Sequence, residues 1–458
     1  MAEGRCAMIS KRAVTKLQAI ILLAIAIVIA SGGLYYYATL TKPPRREILV
    51  GSPNPLTGSA SKHGIEMRNA ISLAAEEWNA KGGVYVKEFG GKLPIRVIFK
   101  DTESSRDTAV KVMTELVTVD KVDVVIGNFG SAFVFADQVV AMEHKVPYIT
   151  SGASSVLLTR RTDIDVSYYF NTATHTELYP FYTMPFLDEA FRPAINKKFG
   201  FPDARNLRLA ILYQDSSYGK GVLDGCKLYI SQFKPKIEIV EAIPFKTGET
   251  DFRPHLLKIK ESKPDFVYMA AFIPEQTAAL TQARRDVGLN TLFQSVICND
   301  DEDFYKGVGQ WGDHQFQETT GTTSVPVLKG PTKESGERFV RAYKAKYGKL
   351  PAQMATHIYQ TFNVVMKAIE RAGTLDKRAI RDALEGMELK GEEYANALVC
   401  PFEGEAFRFT KDHLVTMKIA VVQMRWNEAK GENELRIVWP DDYKTAELEI
   451  PPWYAPGA

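Results

Sequence analysis

Between Ile48 and Ile297 the chain alternates strand-length apolar runs with longer stretches of helical periodicity. Serial β-α units with short connections imply doubly wound α/β layers. The apolar runs are Ile48–Gly51, Ile95–Phe99, Val122–Ile126, Tyr148–Thr150, Leu207–Tyr213, Ile237–Ile243, Phe266–Ala271 and Leu292–Ile297. Several are continuous rather than alternating, as strands are in parallel sheets covered on both faces. Between them Met67, Ala70, Ile71, Ala74 and Trp78 recur at helical spacing, and Lys81-Gly82-Gly83 supplies the stop. Met354, Ile358, Phe362, Val365, Met366 and Ile369 form a second stripe. Both stripes read as packing faces, not cofactor sites.

The units fall into two sets, about 47–170 and 206–310, separated by the long segment Thr172–Gly200. Two facing α/β lobes of similar size leave a cleft at the carboxyl ends of their strands, where open parallel sheets bind ligands. A length of 458 residues fits at least two domains. The 45% hydrophobic and 24% charged content is ordinary for a globular chain and excludes a disordered, fibrous or polytopic membrane protein. Net charge is +2, but the first 46 residues hold seven basic side chains and one acid, so the body is slightly acidic. Without a basic stripe, nucleic acid is not an expected partner.

No residue from Leu17 to Thr41 is charged; Arg5, Lys11, Arg12 and Lys16 precede this segment and Lys42, Arg45 and Arg46 follow. The leading cations fit a secretory signal. The uncharged length also suffices to cross a ~30 Å hydrocarbon core, with Tyr35, Tyr36 and Tyr37 at the outer interface. Export is expected, and a retained membrane anchor over residues 1–46 is favoured over cleavage after Ala30 or Gly32. Cys226, Cys298 and Cys400 form neither a disulfide framework nor a zinc site, and at least one must remain unpaired within the monomer.

Enzyme signatures are missing: there is no H-E-x-x-H, G-x-S-x-G or G-x-x-x-x-G-K-[ST]. The seven histidines are scattered, without a pair at metal-ligand spacing. Gly307-x-Gly309-x-x-Gly312 matches a dinucleotide string but follows an acidic run rather than a strand, and reads as a surface turn. Asp300, Asp301, Glu302 and Asp303 lack EF-hand spacing and read as a solvated helix start. What remains is a pair of strand-to-helix loops rich in small hydroxyl residues. In NFGSAFVFA (128–136) a helix is expected to begin near Ser131; ITSGASSVLLTRR (149–161) carries Ser151, Gly152, Ala153, Ser154 and Ser155. Free backbone N–H groups joined by serine hydroxyls suit a carboxylate. Either loop alone would be ordinary capping; two from one sheet point to a site.

The order and spacing of six motifs then resemble the type I periplasmic leucine/isoleucine/valine-binding proteins of branched-chain amino-acid ABC importers. They are PLTGSASKHG (55–64), WNAKGG (78–83), ITSGASS (149–155), SSYGKG (216–221), PDFVYMAAFIPE (264–275) and QARRDVGL (282–289), within a similarity running from about Glu47 to Tyr454.

The resemblance implies an α/β type I binding-protein fold of two doubly wound parallel-sheet lobes preceded by one apolar helix. Lobe 1 is expected to span 47–172 plus 324–408 and lobe 2 173–323 plus 409–458. Crossings near Phe170–Thr174, Thr319–Ser324 and Arg408–Lys411 would act as hinges. Carried over, the carboxylate grip falls on Ser131, the Ser154 hydroxyl and the Gly152 backbone, and the closing aromatic on Tyr218. The family's second tyrosine is Phe272 here, and His63 replaces a tyrosine of the first loop. The acid that pairs an ammonium falls near Ile297, with Asp300 or Asp301 as local substitutes. The implied function is extracytoplasmic capture of an amino acid or related carboxylate and delivery to an ABC permease with its ATPase subunits. No cofactor, metal or enzymatic activity is implied. A binder of aromatic or aliphatic carboxylates or amides is the main competitor; a tethered ligand sensor and an exported hydrolase are the rivals from other classes.

Overall fold

The computed structural model describes residues 21, 23–31, 47–296, 301–320 and 330–457. Residues 1–46 and 47–458 form separate units. In the first, Ile21 and Leu23–Ser31 are helical; the rest of the expected anchor lies outside the described residues. Among the described residues, no helix is long and apolar enough to cross a membrane.

Two sheets organise residues 47–458. The first contains β1 (Ile48–Asn54), β2 (Ile95–Asp101), β3 (Val124–Ile126), β4 (Tyr148–Thr150) and β5 (Tyr169–Asn171), in the order β2-β1-β3-β4-β5, all parallel. The second contains β6 (Leu207–Gln214), β7 (Ile237–Phe245), β8 (Phe266–Ala270), β9 (Leu292–Ser295), β10 (Phe316–Thr319), β11 (Ala420–Asn427) and β12 (Glu432–Trp439). Its order is β12-β11-β10-β9-β8-β6-β7. Each of the eight expected apolar runs contains a strand among the described residues. The purely parallel expectation needs one correction: β11 runs antiparallel to β10, and β12 antiparallel to β11. Beyond residue 310, β10 continues the parallel order beside β9, whereas β11 and β12 form an antiparallel hairpin at the sheet edge, which β-α periodicity does not signal.

Each sheet has apolar cores on both faces. Val50, Val124, Ile126 and Ile149 pack under helices α1 (Ser61–Ala80) and α5 (Gln353–Ala372), while Leu116, Val122, Val125 and Tyr148 fill the opposite face. The second sheet is likewise enclosed by clusters around Leu209, Ile211 and Tyr268 and around Ala210, Leu212 and Met269. This two-sided burial is why the strands lack polar alternation.

The first sheet's core includes Val415 and Met417, whereas the second sheet's begins again at Ile419. Phe407–Arg408, expected near a crossing, instead pairs antiparallel with Glu388–Leu389. Cys226 and Cys400 are both buried. The Gly307–Gly312 string ends the helix Glu302–Val308 and forms a 3-10 turn with Gly312 buried, so it opens no helix and is not simply a surface turn.

A candidate ligand cleft between the two sheets

In both sheets the strand order reverses at one point, between β1 and β3 and between β6 and β8. Such switch points leave a crevice at the carboxyl ends of the strands. The loops at those ends carry the expected site residues: His63 follows β1, Ser131 follows β3, Gly152 and Ser154 follow β4, Tyr218 follows β6 and Phe272 follows β8.

On the first sheet, two loops are stitched into one surface. Asn128 takes a left-handed conformation (φ 60°), with its side chain accepting from the Phe129 N–H and donating to Asp137 Oδ2 at 2.6 Å. Asp137, on helix α2 (Ser131–Glu143), also accepts from the Tyr148 hydroxyl, and burial raises its carboxyl well above the ordinary range. The Thr150 hydroxyl donates to Asn128 O and accepts from the Gly152 N–H, both at 3.0 Å. The Gly130 N–H closes the seam on Gly152 O at 2.8 Å. Gly152 has no room for a side chain: a Cβ would stand 2.6 Å from Asn128 O.

The Ser131 hydroxyl accepts from the Ser155 N–H at 3.1 Å and keeps its own proton to donate. Ser151 Oγ and Ser155 Oγ, both buried, have no hydrogen-bond partner among the described residues. Gly152 departs from the expected role, because its N–H is already taken by Thr150. Its contribution in this arrangement is close packing.

On the second sheet the cleft meets rings. Tyr218 lies in the first turn of α3 (Ser217–Phe233), whose Ser216 cap accepts from the Gly219 N–H at 3.3 Å. Phe272 precedes α4 (Ile273–Arg285), and its N–H donates to Glu275 Oε2 at 2.8 Å. Glu275 is further held by Gln214 Nε2 and the Gly248 N–H, both at 2.6 Å, and burial raises its carboxyl. The Phe272 ring reaches across to Phe129, with centroids 5.0 Å apart, and lies 6.5 Å from the Tyr218 ring. The two sides are therefore in contact.

The resulting cavity has a volume of about 20 Å³, room for roughly one water. It brings together Ser131, Gly152, Ser154, Tyr218 and Phe272. His63 is not in its wall. Its ring stacks on Phe129 at 4.1 Å, and burial depresses its pKa to about 4. Asp301 is not there either: it caps the helix Glu302–Val308 and pairs with Lys62 at 3.0 Å. That cap agrees with the helix-start reading, although Asp301 is buried rather than solvated. Asp300 lies outside the described residues. None of the described residues in the wall carries a carboxylate.

Met354 and His357 also line the cavity. They belong to α5, whose stripe read as pure packing; its first turns instead reach the cleft. His357 Nε2 lies 2.5 Å from Thr320 Oγ1, and burial lowers the imidazole pKa to about 3. No spacing signal marked it, since a single histidine among apolar helical positions looks like core.

A model described as periplasmic binding protein matches residues 47–432. The chain belongs to that family. This periplasmic binding protein is similar to Leu/Ile/Val-binding protein homolog 7 of Brucella suis, 23% identical over 426 residues covering 89% of this chain and 95% of that one. Among solved structures it is similar to the branched-chain amino acid transporter substrate-binding protein LivJ of Streptococcus pneumoniae in complex with isoleucine. That likeness has TM-score 0.67 and 23% identity, and covers 86% of this chain and 100% of LivJ. A Rhodopseudomonas palustris solute-binding protein in complex with benzoate has TM-score 0.66 and 18% identity, covering 88% and 100%. At these identities the structures establish the type I binding-protein fold.

Proposed function

We propose that the protein captures a small carboxylate with an apolar body between its two sheets and presents it, outside the cytoplasm, to an ABC permease and its ATPase subunits. The observation that carries this reading is one cavity joining serine hydroxyls from two first-sheet loops to the Tyr218 and Phe272 rings of the second sheet. The carboxylate would accept from Ser131 and Ser154, with Ser151 as a third donor. Each charge-assisted bond contributes ~1.5–3 kcal/mol net, so a few of them with ring burial reach micromolar affinity, about 8 kcal/mol.

The cleft in its present closure is too small for such a ligand, so the lobes must part to admit it and re-close around it. A ligand that touches the second lobe only when closed shifts the population toward closure. We assign the lobes to 47–172 with 324–418 and to 173–323 with 419–458, the last expected boundary moving from residue 408 to Lys418 because Val415 and Met417 pack in the first sheet's core and Ile419 in the second's. The N-terminal segment Leu17–Thr41 would hold the protein at the membrane, which N-terminal sequencing of the mature form tests.

Two ligand subclasses compete. A buried ammonium needs a paired anion; Asp301 is engaged by Lys62, and no described wall residue is acidic. The geometry therefore favours aromatic and branched aliphatic carboxylates without an amine. The similarity to Leu/Ile/Val-binding proteins supports the second reading, an amino acid, whose ammonium would fall to Asp300. A thermal-shift screen of amino acids against their des-amino analogues separates them. A ligand at ~100 times its dissociation constant adds ~2.7 kcal/mol of apparent stability. Stabilisation by amino acids alone overturns the first reading, and stabilisation by neither class overturns both.

A further inference from the structure

A second cavity, of about 310 Å³, adjoins the cleft. Gly130, Ser131, Tyr218 and Phe272 line both cavities, so the Tyr218 and Phe272 rings with Ser131 form the partition between them. Because the two spaces share these residues, the opening proposed for the cleft would join them. The outer wall adds Ser59, Arg106, Ser216 and Thr247. Arg106 carries the only charge among the described residues lining this space, and no described acid forms an ion pair with it. Asp101, five residues earlier in the chain, is engaged by the backbone, its Oδ1 accepting from the Leu56 and Glu103 N–H groups, both at 2.8 Å.

We propose that Arg106 is a specificity-determining residue, and that the preferred ligand carries a second anionic group which Arg106 receives in this outer chamber. The inference rests on the carboxylate reading of the cleft and extends it. One carboxylate sits on the hydroxyls of Ser131 and Ser154, the apolar body lies against Phe272 and Tyr218, and the far end meets the guanidinium. Arginine suits this role because its planar fork receives a carboxylate through two parallel N–H donors. A monocarboxylate fills the inner site and leaves the outer charge solvated. The ligand class is thus a dicarboxylate with a rigid or extended apolar spacer.

Calorimetric titration of the full-length chain tests this with two matched probe pairs, benzoate against terephthalate and hexanoate against adipate. In wild type the dicarboxylate of at least one pair should bind about tenfold more tightly. Arg106→Gln should erase that preference while leaving monocarboxylate affinity unchanged, and Arg106→Lys should retain part of it. Arg106 is exposed, so both variants should melt like wild type. Wild-type indifference to the second carboxylate in both pairs overturns the proposal, as does a preference that survives Arg106→Gln. If monocarboxylates bind in a Ser131-dependent way without that preference, only the Arg106 assignment falls. If no carboxylate binds, the reading of the cleft falls and takes Arg106 with it.

Discussion

The two walls of the cleft are built on opposite plans. On the first sheet, Asn128, Asp137, Thr150, Gly152 and Ser155 use their hydrogen-bonding groups on one another, holding the Ser131 hydroxyl in place with its proton free. On the second sheet, Tyr218 and Phe272 offer ring faces, and the polar work of Glu275 is spent behind them on the Phe272 N–H, Gln214 and Gly248. A wall of fixed dipoles can select a charged head group, because it need not reorganise when the charge arrives. A wall of rings excludes water and adds buried area but cannot distinguish one head group from another. The first wall should therefore set which group binds, and the second how long it stays.

The largest effect should come from Gly152→Ala. The new Cβ would sit 2.6 Å from Asn128 O and 3.0 Å from Phe129 Cα, both backbone atoms that cannot yield without separating the loops. Binding should be lost, and stability should fall by ~1–3 kcal/mol as in other overpacked sites. Titration and a chemical melt read the two effects; unchanged binding would show that the seam between the loops is dispensable.

Next comes pH. His63 is held at about 4 against an ordinary 6.5, mainly by burial against Phe129. Its neutral form is favoured in the folded protein, so its contribution is complete above pH 6.5 and is lost as pH falls toward 4. The loss is on the order of 3 kcal/mol. His63→Phe keeps the ring and removes the titration, and unfolding free energy should then decline less steeply across that window. His175 and His357, also depressed by burial, retain the remaining slope. An identical slope in the variant would contradict a neutral buried His63.

Serine truncations separate head-group binding from packing. Ser131→Ala and Ser154→Ala should each weaken carboxylate binding by ~1–3 kcal/mol. Ser131→Ala should also lower stability, because it strands the buried Ser155 N–H. Ser154→Ala should not, since no hydrogen bond within the described protein depends on its hydroxyl. The smallest change is expected from Phe272→Leu, about 1 kcal/mol in affinity, carried by faster dissociation. Its preference for a carboxylate over the matching amide should stay intact; a changed preference would give the second wall a role in recognition.

The sequence carried much of this arrangement. The eight apolar strands, the start of α2 at Ser131 and the two serine-rich loops were legible from periodicity and loop chemistry, whereas Tyr218 and Phe272, which line the same cavity, were implied only by the family resemblance. Other elements were hidden for physical reasons. The strands β11 and β12 leave the β-α rhythm as an antiparallel hairpin, so periodicity alone did not join them to a sheet. The role of Asp301 was misplaced because sequence distance does not show that Lys62, 3.0 Å away in space, already holds it. Met354 and His357 were missed because an amphipathic helix does not announce which end of its buried face meets a cleft. Arg106 was missed because a single arginine opening a helix gives no motif.

One titration tests head-group selection by the first wall most directly: benzoate and its neutral isostere benzamide against wild type and Ser131→Ala. Wild type should prefer benzoate by about tenfold or more, and Ser131→Ala should lose most of that preference by weakening benzoate alone. If wild-type protein binds benzamide as tightly as benzoate, the hydroxyl wall does not read a carboxylate.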